Sequence, residues 1–301
     1  MTDNINPFGD EPDAKVRPVV TRGRIIYDLP AADYFSRPGL SASALVHGVK
    51  SMKHMNYYLH NPPDPTPAMR WGSLCHSAIL EPERFERDIA VFEGDSKRGK
   101  AWTEFCDENA GREIVTVSES AQLAAMIEAV HGRADIKALL TEGQREASMF
   151  WTDDEYGAAK GRMDVYLPGV QVVDLKTTND LTRFKDTAAR LLYHLRMGWY
   201  QVGVREITGA STCLPVYILT VEQDPPYDTR VYEYDSEALA VGRDVAQAVA
   251  KQYRLCEKSG EYPGVCADIT PLKLPAWMMD GDDPFAMKAV RDLETMEADE
   301  L

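Results

Sequence analysis

Two short runs decide the fold: GRMDVY at residues 161–166 and VVDLKTT at residues 172–178. A Pro-Gly turn separates them, and this arrangement predicts an antiparallel β-hairpin. Asp174 and Lys176 are two residues apart on one strand, so their side chains share a face of the sheet. Asp164 lies on the partner strand and is expected to reach the same face. The hairpin therefore gathers two carboxylates and an ammonium.

These charged groups have apolar neighbours, and burying them is costly unless they pair or bind a cation. Asp164 and Asp174, with the backbone carbonyl of Leu175, form a hard oxygen site suited to Mg²⁺ or Mn²⁺. Lys176 would orient or deprotonate the attacking water, or stabilise charge on a phosphate. The pattern D-x-K alone is more typical of a surface hairpin with an ion pair, because three residues are a weak motif. The apolar strand and the basic helix after it favour metal-dependent phosphodiester chemistry.

Hydrophobic periodicity around the hairpin predicts one α/β domain over 25–275, with a helical part over 38–140 and a catalytic core over 144–260. A flexible arm is expected over 1–24 and an acidic tail over 276–301. The predicted helices cover 41–60, 69–81, 100–109, 118–140, 181–207 and 236–259. The predicted strands cover 146–152, 158–167, 170–176, 214–222 and 229–234.

Composition excludes several classes of protein. The 301 residues are 44% hydrophobic and 27% charged, which excludes a wholly disordered or collagen-like chain. No run is apolar enough for a membrane helix, the N-terminus lacks the features of a secretory signal, and the five cysteines are scattered. We therefore expect a cytoplasmic protein with reduced thiols and no membrane association.

The net charge of −15 by itself argues against a nucleic-acid partner, but the distribution of the charge weakens that argument. Ten of these fifteen negative charges lie in the first 14 and the last 22 residues. Between 183 and 205 five basic residues face one acid, and 36–63 contains basic residues and no acid. These local basic stretches allow DNA binding.

The hairpin resembles the active-site hairpin of the PD-(D/E)xK nuclease superfamily. The chain is more closely similar to the exonuclease VIII (RecE-type) branch of phage and prophage recombination nucleases. Three further motifs carry this resemblance, which covers about residues 38–235: LSAS at 40–43, WGSLCHSAILEPERF at 71–85 and YHLRMGWY at 193–200. It implies a mixed central β-sheet flanked by helices, with a helical N-terminal portion.

The resemblance implies that His76, Asp164, Asp174 and Lys176 form the metal and catalytic set, together with the Leu175 carbonyl. His76 would be a metal ligand or a phosphate contact. Glu146, on the strand before the hairpin, matches an acidic position of related nucleases. It either supports the catalytic site or is an exposed strand glutamate, and the sequence leaves both open.

We expect DNA contacts from basic and aromatic residues near the hairpin, the following helix and a basic loop: Arg162, Arg190, Arg196, Tyr200, Lys97 and Arg98. The related nucleases carry glutamine where this chain has Arg196, which is either a phosphate clamp or a solvated helical arginine. The loop at 94–100 matches the start of a phosphate-binding P-loop. Because Ala101 supplies no hydroxyl for Mg²⁺, we predict no ATP binding, and the loop either contacts the DNA backbone or is simply solvated.

By resemblance, the protein would be a Mg²⁺-dependent exodeoxyribonuclease, with Mn²⁺ as a substitute, in the cytoplasm of a bacterial host. It would degrade linear double-stranded DNA 5′ to 3′ and leave 3′ single strands for a single-strand annealing recombinase. A ring-shaped homo-oligomer, trimer or tetramer, is expected. The cysteine spacing predicts no iron–sulfur cluster. The alternatives are an endonuclease or single-strand-specific nuclease on the same fold, and a non-catalytic DNA-binding protein.

Overall fold

The computed structural model describes residues 22–94, 96–266, 269 and 271–273. The chain divides into two units, Met1–Tyr262 and Pro263–Leu301, and every helix and strand named below lies in the first. The helices are α1 (Ala31–Ser36), α2 (Ala42–Lys50), α3 (Met52–His60), α4 (Pro67–Leu80), α5 (Pro82–Asp88), α6 (Lys100–Glu108), α7 (Val117–His131), α8 (Ala134–Thr141), α9 (Phe184–Arg190), α10 (Tyr193–Thr208) and α11 (Ser236–Ser259). The strands are β1 (Gly23–Ile26), β2 (Ile89–Phe92), β3 (Glu113–Thr116), β4 (Gln144–Asp153), β5 (Gly157–Leu167), β6 (Gln171–Thr178), β7 (Val216–Glu222) and β8 (Thr229–Glu233).

Six strands form one mixed sheet in the order β1-β4-β5-β6-β7-β8. All neighbours are antiparallel except β6 and β7, which run parallel and are joined through α9 and α10. A parallel pair requires such a long crossover, because a tight turn cannot return the chain in the same direction. The remaining strands, β2 and β3, form a separate parallel pair. The predicted mixed sheet flanked by helices is confirmed.

Two hydrophobic cores contact the sheet. The first joins α2, α3, α10 and α11 to sheet residues such as Met163, Val172 and Ile218. The second joins α4, α7 and α8 to residues such as Val173, Leu175 and Leu219. Val172 enters the first core, whereas Val173 and Leu175 enter the second, so the strand is buried on both faces. A charged residue on this strand can therefore be accommodated only with partners.

Helices α10 and α11 approach each other closely at two glycines. A Cβ atom added to Gly242 would lie 2.1 Å from the carbonyl oxygen of His194, and one added to Gly198 would lie 2.5 Å from the backbone nitrogen of Arg243. No larger residue fits at either position without moving a helix. This close packing fixes α10 against the sheet. None of the described helices is both long and apolar enough to cross a membrane.

Three helices predicted as continuous are interrupted. Ser51 is extended (φ −175°, ψ 160°) between α2 and α3, and its hydroxyl accepts a hydrogen bond from the His54 N–H, so the residue starts a new helix. Leu192 adopts a left-handed φ of 54° between α9 and α10. The third break lies between α7 and α8, where Gly132 ends α7. Capping side chains and tertiary packing overrode the apolar periodicity at these points.

Five described elements lie outside the predicted ones: α1, α5 and the short strands β1, β2 and β3. Strand β1 begins at Gly23, inside the segment predicted as a flexible arm. Each of these elements has at most seven residues, too few for a clear period. Most of the predicted arm, residues 1–21, and the whole predicted acidic tail lie outside the described residues.

Candidate active site

The site begins where strands β5 and β6 separate. They are paired at Leu167–Gln171, Tyr166–Val172 and Val165–Val173, and their pairing ends there. Beyond that point β5 continues beside β4, and β6 continues beside β7. The Asp164 carboxylate fills the fork, because its Oδ2 accepts a hydrogen bond of 2.8 Å from the Leu175 N–H. The side chain thus satisfies a backbone donor that the hairpin no longer pairs.

Helix α4 brings a histidine to this carboxylate. His76 Nδ1 lies 3.3 Å from Asp164 Oδ2. One ligand atom from each of His76, Glu146 and Asp164 lies within 4.8 Å of the other two, which is close enough for the three to share one cation. These residues come from α4, β4 and β5. Asp174 lies outside this group of three.

Glu146 reaches the group through an uncommon backbone conformation. Its φ is +50°, near the start of β4, although residues other than glycine rarely occupy the left-handed region. Its carboxylate forms a close ion pair with Arg162, which also donates to the Leu29 carbonyl at 3.0 Å. Strained residues of this kind concentrate at functional sites. The alternative of an exposed strand glutamate does not describe this residue, whose side chain is only 27% exposed.

The second acidic group is the pair formed by Asp174 and Lys176 on β6. As expected from their spacing, the two side chains share a face, and the Lys176 ammonium lies in close contact with Asp174 Oδ2. Lys176 also donates to the Leu175 carbonyl at 3.0 Å. Its ammonium lies 5.4 Å from the centre of the Tyr193 ring, a cation–π distance. Asp174 is 2% exposed, so its charge depends on these neighbours.

We name His76, Glu146, Asp164, Asp174 and Lys176 the site cluster. Burial disfavours charge on the Asp164 carboxyl, but His76, Lys176 and the Leu175 N–H outweigh it and lower the pKa to about 2. Burial likewise acts to lower the pKa of His76, yet the adjacent Asp164 carboxylate raises it overall. The two residues therefore favour an imidazolium–carboxylate pair when no other cation is bound.

The other two carboxylates of the site cluster, Glu146 and Asp174, have raised pKa values. Burial raises the pKa of Asp174, and the Lys176 ammonium offsets this only in part. Burial and the nearby Asp164 charge raise the pKa of Glu146 despite Arg162. Lys176 has a raised pKa because Asp174 and Asp164 outweigh the effect of its burial. Three crowded carboxylates with divergent pKa values form a site that a bound cation would stabilise.

Helix α10 covers the site with one face. Tyr193, Arg196 and Tyr200 are three, four and seven residues apart, so they lie along one side of the helix. The Arg196 guanidinium donates to the Ser43 hydroxyl at 3.0 Å, while its buried Nε has no hydrogen-bond partner among the described residues. Burial and the charges of Asp174 and Asp164 raise the pKa of Tyr200. Tyr193 was missed as a site residue, although its spacing from Tyr200 could have indicated it.

Three of the predicted DNA contacts have no described contact with the site cluster. Lys97 forms an ion pair with Glu119 at 2.6 Å. Arg98 and Arg190 are exposed, the first in the basic loop and the second at the end of α9. The Leu175 carbonyl, predicted as a metal ligand, accepts from Lys176. Sequence spacing could not show these pairings, because both partners must first be placed by the fold.

Comparison with known families identifies the chain. Residues 41–275 match the family described as a PDDEXK-like domain of unknown function, DUF3799. The chain belongs to this family. The match confirms the predicted PD-(D/E)xK superfamily and the mixed α/β fold. No curated protein matches the chain.

Solved structures of similar fold include a candidate exonuclease from Eubacterium rectale, with 18% identity, a TM-score of 0.54, and coverage of 85% of this chain and 99% of that one. A phage-related exonuclease from Haemophilus somnus matches with 15% identity and a TM-score of 0.30, covering 75% and 98% of the two chains. An alkaline exonuclease from Laribacter hongkongensis matches with 12% identity and a TM-score of 0.28, covering 64% and 97%. At these identities the first similarity supports the shared fold, and the other two add no argument.

Proposed function

We propose that this PDDEXK-like protein is a metal-dependent exodeoxyribonuclease that degrades linear double-stranded DNA. The observation that carries the proposal is the convergence of His76, Glu146 and Asp164 within 4.8 Å beside the Asp174–Lys176 pair. An acidic site with one adjacent lysine is suited to phosphodiester hydrolysis, and a surface ion pair would not need three carboxylates crowded together. The sequence resemblance to exonuclease VIII adds the expected 5′-to-3′ direction and the 3′ single-stranded product.

The donor set fits a divalent cation. Two carboxylates and one imidazole, from Glu146, Asp164 and His76, are compatible with Mg²⁺ or Mn²⁺, and Asp174 lies close enough to influence their charge. The bound ion would polarise the scissile phosphate and lower the pKa of a water. The mixed nitrogen and oxygen ligands favour Mn²⁺ over Mg²⁺ in affinity, because imidazole is a softer ligand than a carboxylate.

Lys176 would act through its positive charge. The Asp174 carboxylate and the Leu175 carbonyl hold the ammonium in place and favour its protonated form. A fixed ammonium can donate to a phosphate oxygen or orient the attacking water. We therefore favour a positioning and charge-stabilising role for Lys176 over proton abstraction.

Arg196 is the best candidate for holding the DNA backbone beside the site. Its buried Nε lacks a partner, and its guanidinium already contacts Ser43 at the start of α2. A phosphate oxygen would satisfy the remaining donors, which suits the planar guanidinium better than a lysine ammonium. Arg196 would thus serve as the phosphate clamp, with Tyr200 and Arg162 nearby.

The proposal is tested with a linear duplex labelled at its 5′ or 3′ ends, beside a closed circular duplex, in Mg²⁺, Mn²⁺ or EDTA. We expect metal-dependent release of the 5′ label and an intact circle. Lys176→Ala should abolish this activity, whereas Lys258→Ala, an exposed lysine on α11, should leave it unchanged.

Each alternative outcome identifies a different function. Cleavage of the circle would indicate an endonuclease, and loss of single-stranded but not duplex DNA would indicate a single-strand-specific nuclease. DNA binding without cleavage in any divalent metal would contradict the proposal and favour a non-catalytic DNA-binding protein.

The partners follow from the same resemblance. We propose a ring-shaped homo-oligomer, trimer or tetramer, that acts in the bacterial cytoplasm with a single-strand annealing recombinase. Light scattering of the full chain with and without duplex DNA would measure the number of subunits. A strict monomer under both conditions would contradict the ring.

A further inference from the structure

We infer that Phe35 stacks on a nucleobase of the DNA substrate at the entrance of the site, an inference that rests on the proposed action on DNA. Phe35 belongs to the short helix α1, and its side chain is 73% exposed. A single exposed apolar residue is common on the surface of a folded protein and does not by itself indicate a function. Phe35 differs because its backbone is fixed from the protein interior.

A buried lysine holds the backbone on both sides of this ring. Lys160 on β5 is 9% exposed, and its ammonium donates to the carbonyl oxygens of Tyr34 at 3.2 Å, Phe35 at 3.2 Å and Arg37 at 2.6 Å. We name Tyr34, Phe35, Arg37 and Lys160 the carbonyl anchor. All three ammonium donors are used within one short segment. The position of Phe35 is therefore set before any ligand binds, which reduces the entropy lost on binding.

The same segment is connected to the site cluster. The Tyr34 ring lies 5.3 Å from the Phe35 ring at an angle of 71°, and the Arg162 guanidinium lies 5.7 Å from the Tyr34 ring. Arg162 in turn pairs with Glu146 of the site cluster. A continuous row of contacts thus runs from the candidate cation ligands to the exposed ring.

Charge around the ring suits a nucleic acid. Arg37 lies over the Phe150 ring at 4.9 Å, and Arg162 and Lys160 lie beneath Tyr34. An exposed aromatic ring beside a cation is the arrangement that binds a nucleotide, with the base on the ring and a phosphate on the cation. Arg37 is the cation available here, because Lys160 donates to three backbone carbonyls and Arg162 is paired with Glu146. Stacking accepts every base, which suits an enzyme that removes nucleotides regardless of sequence. The occupant we assign is a base near the DNA end, on the strand that enters the site.

The test measures binding of a short labelled duplex by fluorescence anisotropy, with Ca²⁺ in place of Mg²⁺ to prevent cleavage. Phe35→Ala should weaken binding by about 5- to 100-fold, the range expected for loss of one base–aromatic contact. Phe35→Trp should restore it, and DNA should quench the fluorescence of the added tryptophan. The matched control is Leu255, 57% exposed on α11, where Leu255→Ala should bind normally and Leu255→Trp should not be quenched.

The outcomes separate this inference from the proposed function. Normal binding by Phe35→Ala with no quenching in Phe35→Trp would overturn the inference, even if the protein cleaves DNA. Binding that depends on Phe35, in a protein that never cleaves DNA, would support the inference and contradict the nuclease. Absence of DNA binding by the unmodified protein would overturn both.

Discussion

Two regions of the same sheet bury a lysine, and they use it differently. In the site cluster, Lys176 faces the Asp174 carboxylate and has a raised pKa. In the carbonyl anchor, Lys160 donates to three backbone carbonyls and no carboxylate, and burial lowers its pKa. The anchor uses one buried ammonium, with all its donors engaged, to hold three uncharged acceptors of a single segment. The site cluster instead crowds three carboxylates around one histidine and one lysine. The partners of a buried lysine, more than its burial, indicate whether it serves structure or chemistry.

The largest expected difference between the regions is in catalysis. Lys176→Met should reduce the rate of duplex degradation by about 10²- to 10³-fold, because it removes a fixed positive charge at the reacting phosphate. The rate is measured at saturating DNA, so that weaker binding does not contribute. In Lys160→Met we expect the main defect in DNA affinity, through the anchored Phe35. Equal losses of maximal rate in both variants would contradict the distinction.

The free energy of unfolding should depend more on the carbonyl anchor than on the site cluster, the reverse of the order expected for the reaction rate. Lys160→Met should lower the free energy of unfolding by about 2 kcal/mol, because three carbonyls lose a charged donor. Replacing the site pair together, as Asp174→Leu with Lys176→Met, should leave stability unchanged or raise it by about 1–4 kcal/mol, since a buried ion pair is often less stabilising than apolar packing. Urea unfolding of the metal-free proteins measures both values. A stable Lys160→Met variant would show that the anchor contributes nothing to the fold.

The two regions should also differ in their response to acid. The pKa of Asp164 is about 2 in the fold, below its usual 3.8, so its contribution to stability is complete above pH 3.8 and is lost as pH falls towards 2. The raised pKa of His76 makes its contribution to stability depend on pH in the opposite sense. Its contribution is complete below pH 6.5 and is lost as pH rises through the folded-state value.

This pH dependence is measured on metal-free protein by urea unfolding between pH 2 and 8. Asp164→Asn should remove about 2 kcal/mol of the acid-dependent change. Lys160→Met should lower the whole curve between pH 2 and 4 without changing its slope, because the carbonyl anchor contains no carboxylate. A slope that Asp164→Asn leaves intact would show that the His76–Asp164 pair is not formed without metal.

The smallest effect concerns backbone strain at Glu146. Because Glu146 has a φ of +50°, Glu146→Gly should be more stable than Glu146→Ala by about 1 kcal/mol. At Thr152, an exposed position on the same strand with no positive φ, glycine should instead be the less stable of the two substitutions. Thermal unfolding of the four variants decides the point. The same preference for alanine at both positions would mean that Glu146 is not strained.

Much of the site could be predicted from local sequence. The Pro-Gly turn and the alternation of β6 place Asp174 beside Lys176, and the structure has them in contact. The last helix was predicted with its observed limits, because an aspartate cap and a following glycine mark its ends. Long periodic elements with such signals are the ones that local interactions specify.

Other parts could not be predicted, because they depend on contacts between distant residues. The left-handed conformation of Glu146 has no sequence signal, since neither glycine nor asparagine marks it. The break at Leu192 is equally unmarked, although it places Tyr193 over Lys176. The anchoring of Phe35 by Lys160 joins residues on α1 and β5 that no spacing rule connects.

The sequence by itself determined the hairpin and its charged face, because turn geometry and strand alternation act over a few residues. Only the tertiary structure decided that His76 and Glu146 join Asp164 while Asp174 stays with Lys176. The physical reason is the fork between β5 and β6. Where their pairing ends, the free Leu175 N–H attracts the Asp164 carboxylate, and packing of α4 and β4 around that point selects its partners.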